Sequence, residues 1–212
     1  MVINEKNIFW DWNGTLLDDA NICLSVMNDM LKKRQMKLLN LDYYKEVFGF
    51  PVIDYYEKLG FDFRKENFEA LSLEFHENYA SQVLSVSLAP DSEFVLKYFK
   101  EKGKNNIILS AMQQDMLMSL MEHTGLKTYF SDILGTDNIY AHSKSSPAIE
   151  YIRKNKLSAE DLILIGDTLH DFEVASEIGC NCILIAHGHQ SKRRLKKSGA
   201  KVINSLIELI QN

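Results

Sequence analysis

Asp11-Trp12-Asn13-Gly14-Thr15-Leu16-Leu17-Asp18 stands directly behind the apolar run Ile8-Phe9-Trp10. The run reads as a short buried strand, so the octapeptide puts a carboxylate at the strand's mouth, then a glycine turn and a hydroxyl. An amide, Asn13, lies two residues after that carboxylate. Taken alone, the stretch has a second reading. Asn-Gly between apolar residues is a strong hairpin signal, and Asp11 and Thr15 would then only flank a turn. The rest of the chain decides between the two.

At 212 residues the chain can form one sizeable domain, or a domain carrying a smaller insertion. A net charge of −5 gives no general attraction to nucleic acid or to an anionic membrane surface. The basic cluster Lys192-Arg193-Arg194 with Lys196-Lys197 reads as the solvated face of a late helix. No apolar run approaches the roughly 20 residues that span a bilayer, and the first residues lack the pattern of a signal peptide. Three cysteines, Cys23, Cys180 and Cys182, without a Cys-x-x-Cys pair, argue against a disulfide framework or a zinc site. These signs point to the cytoplasm.

No internal repeat or low-complexity tract is apparent. From about Ala89 onward, short apolar runs alternate with amphipathic segments. Ile107-Ile108-Leu109, Ile133-Leu134, Leu162-Ile163-Leu164-Ile165 and Cys182-Ile183-Leu184-Ile185 read as buried parallel strands. Helical patterns over 94–102, 116–123, 148–154, 172–178 and 192–197 separate or follow them. This alternation predicts an α/β fold: a Rossmann-like parallel sheet in three α/β/α layers, with right-handed crossovers. Residues 19–86 instead carry apolar side chains at helical spacing only, as at Leu24, Met27, Met30 and Leu31. They predict an all-helical insertion over one end of a core formed by 1–18 and 87–212. Its methionines and aromatics read as core.

In an open α/β sheet, ligands bind outside the carboxyl ends of the strands. Four features fall there: Asp11, Ser110 after Ile107-Ile108-Leu109, Lys144 in Ser143-Lys144-Ser145-Ser146-Pro147, and Gly166-Asp167-Thr168-Leu169-His170-Asp171. Individually each has an ordinary structural reading, such as a helix cap for Ser110 or Asp171. Their shared topology points further. Two strand-end carboxylates supply hard oxygen ligands for a magnesium ion, while a lysine and a hydroxyl can hold phosphoryl oxygens.

These motifs resemble those of the haloacid dehalogenase (HAD)-like hydrolases over nearly the whole chain. The family's Asp-x-Asp-Gly-Thr is matched at Asp11, Gly14 and Thr15 but not at Asn13, its Ser/Thr at Ser110, its lysine at Lys144 with Pro147, and its acidic Gly-Asp-x-x-x-Asp at Gly166, Asp167 and Asp171. The insertion resembles the helical C1 cap of phosphoglycolate-phosphatase-like members. Gly49-Phe50-Pro51 resembles their cap specificity loop, and 186–191 their late loop after the fifth core strand. A metal pair at His187-Gly188-His189 is a weaker reading.

The resemblance implies a magnesium-dependent phosphatase acting on a small phosphorylated metabolite. Asp11 would be the nucleophile that forms an aspartyl-phosphate. Asp11, Asp167 and the backbone carbonyl of Asn13 would hold Mg²⁺, with Asp171 as a ligand or support. Ser110 and Lys144 would steady the phosphoryl group, and Trp12, Gly14, Thr15 and Ala111 would line its binding site. Asn13 occupies the usual general acid/base position yet cannot exchange a proton at neutral pH.

That substitution leaves several chemistries open. They are a phosphomonoesterase with protons from elsewhere, a hydrolase of acyl phosphates or phosphoanhydrides, and a phosphonoacetaldehyde-hydrolase-like enzyme using a cap lysine. For the last, Lys32, Lys33 and Lys45 are available, though each reads first as solvated. A dehalogenase also needs no acid, but the full acidic motif favours phosphoryl chemistry. A phosphate-binding relative with little turnover is the non-enzyme alternative.

Overall fold

A computed structural model describes residues 3–137 and 144–211. Ser143, at the front of the lysine loop, lies outside them. Six parallel strands form one sheet: β1 (Asn7–Trp10), β2 (Asn105–Gln113), β3 (Asp132–Thr136), β4 (Leu162–Gly166), β5 (Asn181–Ile185) and β6 (Lys201–Ile203). Their order is β3-β2-β1-β4-β5-β6. The chain therefore winds outward from β1 in both directions, and the strand order reverses between β1 and β4, where such sheets leave a crevice.

Alternation along the strands explains the layers, because successive side chains point to opposite faces. Ile8, Trp10, Ile108, Ile163 and Ile165 pack on one face with Val95, Leu96 and Phe99 of α5 (Ser92–Glu101) and Leu117, Leu120 and Met121 of α6 (Gln114–His123). Phe9, Ile107, Leu109, Leu162 and Leu164 pack on the other face with Ala148 of α7 (Ser145–Asn155) and Val174 and Ala175 of α8 (Leu169–Ile178). A short α9 (Lys192–Leu195) precedes β6. The runs are apolar throughout because both faces of the sheet are covered.

The structure adds one strand to those read from the sequence and extends another. β6 has only three residues, begins on exposed Lys201 and has no periodicity to read. β2 continues four residues past Leu109, and its register against β3 shifts between Leu109 and Gln113. Ser110 therefore sits within an irregular strand end rather than after it.

Between β1 and α5 the chain forms α1 (Ala20–Lys33), α2 (Leu41–Val47), α3 (Val52–Leu59) and α4 (Phe68–Val83). The way out and the way back lie side by side: Asp18 donates to Ser87 and Ala89 donates to Leu16, at 3.0 and 2.9 Å. Val26, Met27, Met30 and Leu31 join the same hydrophobic cluster as the sheet face below. Among the described residues no helix is long and apolar enough to cross a membrane.

One buried polar residue ties this face together. Asn106 accepts from the Trp10 indole N–H at 3.0 Å, and its amide donates to the carbonyls of Leu96 and Tyr129 at 3.1 and 3.3 Å. Asn106→Leu leaves these partners buried and unpaired, which costs about 2 kcal/mol or more. Urea unfolding measures this, and a loss below about 0.5 kcal/mol contradicts the assignment.

Candidate active site

The Asp11 N–H donates to the carbonyl of Ile165 at 2.9 Å, so the ladder with β4 fixes the main chain one residue beyond β1. Gly14 then adopts φ +72°, and the N–H groups of Leu16 and Leu17 return to the carbonyl of Trp12, both at 3.0 Å. Asn13-Gly14 does make a turn. It is not a hairpin turn, because both neighbours of β1 run parallel to it. A side chain at Gly14 or Gly188 would overlap the carboxylate of Asp167, so both positions require glycine.

Four sequence-predicted residues meet here. Lys144 is 2 % exposed, contacts Asp11 Oδ1 through Nζ and lies 2.5 Å from Asp171 Oδ1. Asp171 Oδ2 accepts from the N–H and hydroxyl of Thr168 at 2.9 and 2.7 Å, the reciprocal cap of α8. Asp167 accepts from the Thr15 hydroxyl at 3.0 Å and the His189 backbone N–H at 2.5 Å. Oxygens of Asp11, Asp167 and Asp171 all lie within 4.8 Å of one another. Buried Ser110 lines the same cavity, its hydroxyl accepting from the Met112 N–H at 3.1 Å.

Crowding sets the electrostatics. Burial, reinforced by Asp171 and Asp167, pushes Asp11 well above the usual carboxylate range despite Lys144. Burial, with Asp171, likewise raises Asp167. Burial opposes charge on Asp171 and on Lys144, yet their mutual attraction outweighs it, lowering the acid and raising the amine. Three carboxylates thus crowd together around one ammonium that pairs with only two of them. A divalent cation fits this set: hard oxygen donors, converging, with negative charge left over.

The sequence pattern of the haloacid dehalogenase-like hydrolases matches residues 8–185. The chain belongs to that family. It is 24% identical over 202 residues to the probable phosphatase IndB of Dickeya dadantii, covering 92% of this chain and 87% of that protein. It is also 24% identical over 187 residues to a phosphoglycolate phosphatase of Rhodobacter capsulatus, covering 86% and 85%. A haloacid dehalogenase-like family hydrolase from Streptococcus pneumoniae shares the fold at TM-score 0.83 and 19% identity, over 97% of both chains.

In this HAD-like hydrolase, Asn13 is held by a second buried network. Its Nδ2 donates to Asp19 Oδ2 at 2.7 Å and to the Tyr79 hydroxyl at 2.8 Å, so both amide protons are committed. Tyr79 in turn donates to Asp19 Oδ2 at 2.8 Å. Asp19 Oδ1 accepts from the Gly14 N–H at 2.8 Å and faces His189 Nε2 at 3.2 Å. His189 Nδ1 lies 2.8 Å from the Tyr44 hydroxyl. His189 stands near Asp19 and Cys23 in a possible ligand group, but both ring nitrogens are engaged, and His187 bonds Thr15 instead, at 3.1 Å. Trp12, Gly14 and Thr15 do not line the cavity; they shape it from behind, whereas Ala111 does line it.

Asp19, Tyr79 and Tyr44 escape the sequence reading. Asp18 and Asp19 are chemically alike, yet Asp18 is exposed and Asp19 fully buried. The two tyrosines look like ordinary apolar-face residues at helical spacing. The basic cluster is not simply solvated either. Arg194 donates to the carbonyls of Phe48 and Lys45 at 2.5 and 3.1 Å, and Arg193 pairs with Glu46 at 2.6 Å. Lys45 is half-buried and donates to His187 at 2.8 Å, so it is not a solvated lysine. These bonds fasten the end of α2 and Phe48 to the loop after β5 and to α9.

Burial opposes the Asp19–His189 pair, but mutual attraction wins, taking Asp19 to about 2 and His189 to about 9. The carboxylate stabilises the fold above its ordinary 3.8 and loses that effect as pH falls toward 2. The imidazolium contributes fully below 6.5 and loses its effect as pH rises through 9. Metal-free protein is therefore expected to lose stability between pH 6.5 and 9, and His189→Asn to flatten that slope. Thermal unfolding in chelator across this range checks both; an unchanged slope in the variant contradicts the pairing.

Proposed function

We propose that this HAD-like hydrolase is a magnesium-dependent phosphatase of a small phosphorylated metabolite, phosphoglycolate-phosphatase-like in architecture. The observation that carries the reading is the convergence of Asp11, Lys144, Asp167 and Asp171, from three separate segments, on one buried point beside a cavity. In this reading, residues 1–18 and 87–212 are the catalytic core and 19–86 the cap.

Asp11 attacks phosphorus and the ester P–O bond breaks, its electron pair leaving with the substrate oxygen. Water then attacks the aspartyl-phosphate, releasing phosphate and restoring Asp11. Lys144 orients Asp11 and offsets charge on the phosphoryl oxygens, aided by Ser110 and the Ala111 amide. Asp11, Asp167, the Asn13 carbonyl and, as ligand or support, Asp171 would hold Mg²⁺. The ion supplies charge neutralisation for the transferring phosphoryl group.

Asn13 favours a second form of the reading, in which the leaving group needs no acid, as with an acyl phosphate or phosphoanhydride. The phosphonoacetaldehyde-hydrolase alternative finds less support. Lys32 and Lys33 are exposed, Lys45 is bonded to His187, and among the described residues Lys144 is the only lysine lining the cavity.

Asp11→Asn is expected to reduce phosphate release on the order of 10⁴-fold or more, and EDTA to silence the wild type until Mg²⁺ is restored. Phosphate release from phosphomonoesters, acyl phosphates and phosphonoacetaldehyde checks this. Activity that survives either treatment overturns the mechanism. Metal-dependent phosphate binding with no turnover on any member identifies the binding-protein alternative.

A further inference from the structure

The cavity beside Asp11 is polar at one end and mainly apolar elsewhere, with many aromatic rings. Asp11, Ser110 and Lys144 line the polar end, while Phe48, Phe50, Tyr55 and Phe75, with Met27 and Met116, dominate the remainder, whose lining also includes Ser72, His76 and Gln113. Aromatic rings and thioethers favour contact with another ring. The volume is about 180 Å³, and an apolar cavity of roughly 150 Å³ accepts benzene. There is room for one ring.

The same walls offer no spare cation. Among the described residues Lys144 is the only lysine or arginine lining the cavity, and its ammonium faces Asp11 and Asp171. His189 has its ring nitrogens against Asp19 and Tyr44. His170 lies flat on Phe50, ring centroids 4.6 Å apart. Burial keeps His76 below its ordinary pKa. A substrate carboxylate, such as that of phosphoglycolate, would be desolvated here with no cation to pair with, only the neutral, unpaired Tyr55 hydroxyl and His170 Nε2.

A separate observation concerns the leaving group. Asn13, Tyr79 and Asp19 close on one another, and no proton among them is free to be handed to a departing oxygen. An aliphatic alkoxide needs that proton, its conjugate acid being roughly as weak as water. A phenolate, with a pKa of about 10, needs it far less.

Building on the phosphatase reading above, we propose that the substrate is an aryl phosphate, a monoester whose leaving group is a single uncharged aromatic ring. An oxygen of Asp11 bonds to phosphorus as the P–O(aryl) bond breaks. The electron pair leaves on the aryl oxygen, which is protonated by solvent after release.

The test compares phenyl phosphate, benzyl phosphate and phosphoglycolate with the full chain and Mg²⁺. Phenyl phosphate is expected to exceed phosphoglycolate in kcat/KM by about 10²-fold or more. Benzyl phosphate, with a ring but an alkoxide leaving group, should keep a similar KM and lose roughly 10²- to 10⁴-fold in kcat. Aryl esters are intrinsically labile, so recognition is read separately by calorimetry on Asp11→Asn. That variant should bind phenyl phosphate at least about tenfold more tightly than phosphoglycolate.

Exchanging the pair as Asn13→Asp with Asp19→Asn keeps the charge count. It should raise kcat on benzyl phosphate while changing phenyl phosphate much less, and Asn13→Asp alone serves if the exchange does not fold. Asp11-dependent hydrolysis that prefers phosphoglycolate, or tighter binding of it, overturns the aryl assignment and leaves the phosphatase standing. No release above the Asp11→Asn background on any ester overturns the phosphatase reading itself.

Discussion

A lysine ammonium buried between two aspartates is the constraint on which the rest of this molecule depends. Lys144 is almost wholly enclosed and contacts both Asp11 and Asp171. A charge so placed is tolerable only when paired and hydrogen-bonded on all sides. The surrounding structure meets that condition from several directions. The β1–β4 ladder pins Asp11, the α8 cap holds Asp171, and Thr15 and the His189 backbone hold Asp167. Glycines at 14 and 188 let the backbone come close enough to do so.

Around this reactive cluster lies a second one of opposite character. Asp19, His189, Tyr79, Tyr44 and Asn13 satisfy one another, and the ion pair at the centre keeps its charges over a wide pH range. The clusters join at His189, whose backbone serves Asp167 while its ring serves Asp19. A carboxylate at position 13 would sit against Asp19, where like charges repel. The amide there is thus part of a complete arrangement. It accounts for an amide rather than an acid two residues after Asp11.

The helices between β1 and α5 belong physically to the same body as the sheet. Their apolar side chains merge with one sheet face, and Lys45, Glu46 and Phe48 are bonded to the loop after β5 and to α9. The aromatic side chains that read as core do bury themselves. Tyr55, Phe75 and Tyr79 nevertheless also wall the cavity, because helices packed over a sheet end enclose the space between them.

Much of this was legible beforehand. Runs of branched apolar residues mark strands covered on both faces, and acids, a serine and a lysine at their ends mark where chemistry collects. Those signals are local, set by periodicity and by what must follow a parallel strand. β6 is too short to carry a period, and the irregular end of β2 depends on its neighbour. The fates of Asp18 and Asp19, of Lys45 and Lys33, and of Arg194 could not be read from residue type, because a charge is solvated or buried according to what lies across from it. The sequence by itself determined the sheet, the order of the motifs and the missing acid. Only the tertiary structure decided which carboxylates share Lys144, which one locks Asn13, and what kind of surface faces Asp11, since each is set by groups far apart in the chain.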